Sequence, residues 1–173
     1  MNLNELKVKI PDIFEDVRRD VDKFYKEFIN SRGKRRAGIS LGLVEMGMYQ
    51  GGFIGGMHFP PGTDIVMNKT PLKILLEQQP DEIVVAYTYH ILLHEYVHSL
   101  GIWDEMACRK RTLEISQMVF KDPKHPALRL AKGGIGTFFP NLKLIYAPPE
   151  MSHDGMMIEY IKGFDKQSYD YYS

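Results

Sequence analysis

The 173 residues include one cysteine, Cys108, and one tryptophan, Trp103. A single thiol excludes an intrachain disulfide framework and a thiolate-rich structural zinc site. Any metal site must therefore be built from His, Asp, Glu and water. Net charge is missing too, since 22 Lys and Arg balance 22 Asp and Glu. The broad basic footprint of a nucleic-acid binder is thus not expected. No apolar run is long enough to span a bilayer; stretches such as residues 83–89 are soon broken by His and Glu. The N-terminus lacks a basic segment followed by an apolar one, the pattern of a secretory leader. A cytoplasmic, soluble chain is expected, with no membrane or nucleic-acid partner. What the sequence does hold is 44% hydrophobic and 12% aromatic residues. That is enough for a packed core and too much for a disordered chain.

The pattern along the chain predicts a single domain, residues 1–173. Residues 1–36 form an N-terminal part whose helix covers residues 10–29, because Ile10, Ile13, Phe14, Val17, Val21, Phe24 and Phe28 recur at helical steps. Pro11 and Asp12 suit its first turn. The short basic run from Arg32 to Arg36 reads as a solvated linker. In residues 37–101 an upper sheet precedes a long helix. Strands are predicted at 39–49 and 53–59, joined through Gln50-Gly51-Gly52, and at 64–68 after the turn Pro60-Pro61-Gly62. A short helix over 70–79 leads to a mostly buried helix over 82–100, capped by Asp81 and ended by Gly101. Residues 102–173 form a loop-rich lower part and a polar, Tyr-rich tail. It has a helix at 105–120, an irregular stretch at 132–155 and a helix at 156–162. The fold class expected is α/β in the α+β sense, a mixed sheet packed on one long helix.

One motif dominates. His94-Glu95-Tyr96-Val97-His98 is H-E-x-x-H on a predicted helix. Histidines at i and i+4 stand on one face, so two imidazoles can converge on one ion. Glu95 lies about 100° round the helix from His94, placed to reach a water at the metal rather than the metal itself. This is the arrangement of a zinc hydrolase. A catalytic zinc needs a third protein ligand, and Asp104, Glu105 and Glu114 all follow the motif.

The run from His94 to Asp104 reads H-E-x-x-H-x-x-G-x-x-D. It resembles the zinc motif of the metzincin metallopeptidases, in its snapalysin-type variant with Asp at the last position. The resemblance implies a small zincin-like domain that cuts peptide bonds as a Zn2+-dependent endopeptidase. His94, His98 and Asp104 would be ligands and Glu95 the catalytic base. It implies a substrate strand added to an exposed edge at Ile65, Val66, Met67 and Asn68. It also implies a Met-turn beneath the metal, for which Met156 and Met157 are the candidates. The runner-up is a gluzincin-like site, in which Glu105 or Glu114 is the third ligand and Asp104 only caps a helix. Tyr146 and Tyr160 are candidate oxyanion donors, His90 can line the cleft or hold a carboxylate, His153 faces the metal from below or sits in a loop, and Trp103 is expected to anchor packing. The alternative to an enzyme is a non-catalytic zinc protein that binds a peptide or protein partner in the same groove.

Overall fold

The computed structural model describes residues 1–30, 32–148, 151–152 and 154–162. Among them, helices and strands are mixed in an α+β arrangement with five α-helices. Helix α1 runs Leu3–Phe24 and continues as one π-helical turn, Tyr25–Ile29. It starts well before the expected position, because the Asn2 side chain accepts from the Glu5 amide at 2.9 Å and Leu6 extends the apolar stripe. Pro11 therefore lies inside the helix, not in its first turn.

The strands are β1 (Ser40–Val44), β2 (Phe53–Ile54), β3 (Gly56–His58), β4 (Asp64–Asn68), β5 (Leu144–Ile145) and β6 (Glu159–Tyr160). The main sheet has the order β3-β4-β1-β6, with β1 and β4 parallel and both outer strands antiparallel to their neighbours. A small parallel pair joins β2 to β5. The expected hairpin between 39–49 and 53–59 does not form. The turn at Gln50 and Gly51 closes only a local bridge between Tyr49 and Gly52. The physical reason lies in β1, which is buried on both faces like a parallel interior strand, and takes β4 as its partner. The predicted helix over 156–162 is likewise replaced by β6, which pairs with Gly42 and Leu43 of β1.

Helix α2 (Lys69–Gln78) follows β4, with Asn68 as its cap. Helix α3 (Asp81–Ser99) is the hub of the fold. Asp81 is its first helical residue, not its cap, and the preceding Pro80 makes no side-chain capping bond. Gly101, at φ 101°, turns the chain out of it. Helix α3 is buried nearly all round, between α1, the sheet and the lower helices α4 (Glu105–Val119) and α5 (Pro126–Gly133). Helix α5 lies where no helix is expected from the sequence: Pro126 opens it, with His125 as the cap. No helix among the described residues is long and apolar enough to cross a membrane.

Two details hold α3 in register. Arg36 is no solvated linker residue. Its amide donates to the Tyr96 hydroxyl at 3.0 Å, and its guanidinium donates to the Ser99 and Pro61 carbonyls, tying the end of α3 to the β3–β4 turn. Gly56 lets β3 press against α3. A Cβ there would lie 2.6 Å from Ile91 Cγ2 and 2.9 Å from the Val66 carbonyl oxygen. The carbonyl belongs to the sheet and cannot step aside. Gly56→Ala is expected to destabilise the protein by about 1–3 kcal/mol, read as a lower denaturation midpoint in urea.

Candidate metal centre

The first turn of α4 returns the chain to the exposed end of the histidine pair. Asp104 caps that turn, its carboxylate accepting from the Ala107 amide at 2.8 Å. It is exposed and committed to the backbone, so it does not join the histidines as the metzincin resemblance implied. Glu105 does. Its Oε1 lies 3.0 Å from His94 Nε2 and its Oε2 lies 3.1 Å from His98 Nε2. Glu114 sits nine residues further along α4, roughly 13 Å by helical rise, and faces Arg111 at 3.9 Å.

The trio leaves a position to be filled by a proton or a metal ion. His98 Nδ1 is 2.7 Å from the Ile102 carbonyl oxygen. A carbonyl can only accept, so Nδ1 carries the proton. In the neutral ring Nε2 is then a bare lone pair facing a carboxylate oxygen. Two acceptors at 3.1 Å require a proton or a metal ion between them. Burial works to lower the pKa of His98, but Glu105 and the Glu95 charge outweigh it and raise it above the usual imidazole value. Burial likewise pushes Glu105 upward, and the two imidazoles outweigh it, holding its carboxyl far below the usual range. His94 Nε2, although 3.0 Å from Glu105, lacks hydrogen-bond alignment, and His94 Nδ1 has no partner among the described residues. Two imidazole nitrogens and a carboxylate converge, with His98 bonded to Glu105 and both His94 nitrogens left without a hydrogen bond among the described residues. The set fits zinc by type and number.

Cys108 also approaches. Its sulfur and one nitrogen of each histidine lie within 4.8 Å of one another. The thiol donates to the His94 carbonyl at 3.3 Å, and burial pushes its pKa well up. Contrary to the expectation of a site of His, Asp, Glu and water alone, Cys108 is thus a candidate donor beside Glu105.

Glu95, 4% exposed, lies beside the trio on α3. Burial raises its pKa, opposed by the neighbouring histidines and by the His58 backbone amide, which donates to it. A cleft opens here between β3 and the chain around Ala147 and Pro148, with Trp103 at its side. Trp103 is 63% exposed and lines this cleft, so it does not anchor packing.

Several expected positions fall elsewhere. Ile65, Val66, Met67 and Asn68 form β4, which is flanked by β3 and β1 and buried. Its backbone groups are used on both sides, so it is no exposed edge; the outer strand beside Glu95 is β3. Met157 is 91% exposed and Met156 packs in a small cluster with Met57 and Val66, so neither forms a floor under the histidines. That place is held by Tyr146, whose ring stacks on His94 at 4.2 Å between centroids. The Tyr146 hydroxyl is 3.1 Å from His90 Nε2, and the Arg109 guanidinium lies 4.3 Å over its ring. His90 is buried and neutral, with burial, then His94 and Arg109, lowering its pKa to about 3. Tyr160 lies on β6, across the sheet from β3, and donates to Asp64 at 2.9 Å. His153 lies outside the described residues.

Sequence reasoning missed the Tyr146–Arg109 stack and the His58 amide, because both join segments far apart in the chain. The role of Asp104 had a readable signal, since an Asp immediately before a predicted helix is a cap by preference. Comparison with protein-family models, with characterised proteins and with solved structures finds no match to this chain.

Proposed function

We propose that the chain is a zinc-dependent peptidase of the zincin type, with a gluzincin-like ligand set of His94, His98 and Glu105. The observation that carries this is the convergence of the His94 and His98 Nε2 atoms on the two oxygens of Glu105, with the buried Glu95 next to them. A zinc ion would lower the pKa of a water and polarise a substrate carbonyl. The protein's own groups do the rest. The Ile102 carbonyl fixes the tautomer and ring direction of His98. Glu95 takes the proton of the attacking water and hands it to the leaving nitrogen. Its burial favours that exchange, since a raised carboxylate pKa makes a better base. A peptide in extended form fits beside the outer strand β3, whose Met57 and His58 line the cleft.

The test is zinc loading followed by hydrolysis of an unfolded protein such as reduced, alkylated casein. One zinc per chain is expected, with cleavage that disappears on chelation and returns with zinc. Stoichiometric zinc without cleavage would favour the non-catalytic protein that holds a peptide or protein partner in the same groove. No zinc at all would remove both readings.

A further inference from the structure

Two further hollows adjoin the cleft. The second shares Glu105, Ala147 and Pro148 with it, and the third shares Arg109 and Tyr146 with the second and is lined also by Lys110 and Lys132. The charge reverses along this path. The metal end carries Glu95 and Glu105, whereas the far hollow carries three cations and no carboxylate. Lys110 and Lys132 make no ion pair among the described residues. Arg109 spends only Nε on Glu105, at 3.3 Å, and its terminal nitrogens have no hydrogen-bond partner among the described residues. Its guanidinium lies over the Tyr146 ring, which fixes the plane of the fork. A planar fork held in this way, with the edge between its two terminal nitrogens free of hydrogen bonds among the described residues, suits a carboxylate taken bidentately.

We propose that this far hollow seats the free C-terminal carboxylate of a peptide, so that the enzyme removes short pieces from chain ends. The proposal rests on the peptidase reading for its substrate class. The spacing suits it. Arg109 touches Glu105 directly, so a carboxylate on its outer edge lies about one or two extended residues from the metal end, at roughly 3.3 Å per residue. Lys110 and Lys132 add a field that draws the chain end inward. The negative end of a peptide thus meets the cationic hollow, while the bond to be cut lies over Glu95.

The test uses the zinc-loaded Glu95→Gln protein, which holds substrate without turning it over, and three N-acetylated alanine–glycine hexapeptides. One ends in a free acid and one in an amide. The third ends in an amide and carries Asp as its last residue. Calorimetric titration is expected to show the free acid bound at least tenfold more tightly than either amide. That ratio should fall toward one in Arg109→Gln and in the double variant Lys110→Gln/Lys132→Gln, with zinc content measured in each. Wild-type protein should release one- or two-residue fragments from the free acid. Equal binding of acid and plain amide overturns the proposal, as does an acid preference indifferent to all three substitutions. Equal binding of the Asp-containing amide and the free acid also overturns it, because the hollow would then read side-chain carboxylates. An acid preference without any hydrolysis supports the carboxylate seat and removes the peptidase reading alone. Internal cleavage regardless of the chain end does the reverse.

Discussion

Glu105→Ala is expected to strip zinc from the protein, and Asp104→Ala is expected to leave it in place. The two residues are neighbours, and the contrast follows from how a helix begins. At the N-cap, the Asp104 carboxylate is held by the Ala107 amide and faces the backbone. One position later, Glu105 projects to the histidines and meets both Nε2 atoms. Loss of an outer-shell partner commonly weakens a metal site roughly 10–100-fold, and loss of a direct ligand should exceed that. Elemental analysis after dialysis against a weak chelator should therefore find less than a tenth of the wild-type zinc in Glu105→Ala. Asp104→Ala should keep its metal and lose about 1 kcal/mol of stability, the usual cost of a helix cap, seen as a lower melting temperature. Full zinc in Glu105→Ala with loss in Asp104→Ala would restore the metzincin-type ligand set.

The second large effect is expected in Glu95→Gln. This change keeps the shape of the side chain and removes its ability to take a proton. Glu95 is not one of the three groups that converge at the metal end, so zinc stoichiometry should remain at the wild-type level. Hydrolysis should fall about 10²- to 10⁴-fold, the range supplied by a positioned general base. The measurement is initial rate at saturating peptide, beside metal content of the same preparation. A rate within threefold of wild type would show that Glu95 is not the base and leave the proposed mechanism without a proton acceptor. The side-chain amide introduced by the substitution can still accept from the His58 backbone, so the loss should be chemical, with the fold intact.

Much of this was legible in the sequence, for reasons that differ by element. Helix α3 announced itself through length, apolar density and a glycine stop, and the His94/His98 pair needs only the 3.6-residue period to converge. Strand β4 matched its expected range residue for residue, yet its place in the sheet did not. Whether a short apolar strand is flanked or free depends on partners from elsewhere in the chain, here β1 on one side and β3 on the other. The same holds for β6, whose two residues form a strand only because β1 offers an open side. Which carboxylate meets the two histidines hung on a single residue of register. Motif spacing favoured Asp104, whereas capping chemistry favoured Glu105, and local backbone satisfaction prevailed. Tyr146 came from a stretch with no periodicity; the sequence offered it as an oxyanion donor, and its stacking on His94 is visible only in the fold.

Helix α1 has a consequence for how such a protein can be switched on. It lies against α3, with Phe14 edge-on to Tyr96 at 5.3 Å and Asp20 accepting from the Tyr89 hydroxyl at 2.7 Å. Its apolar face supplies much of the main core, and none of its residues lines the cleft beside Glu95. An activating protease that clipped after residue 29 would breach the interior without uncovering anything. Latency by a removable N-terminal plug is therefore foreclosed for this segment.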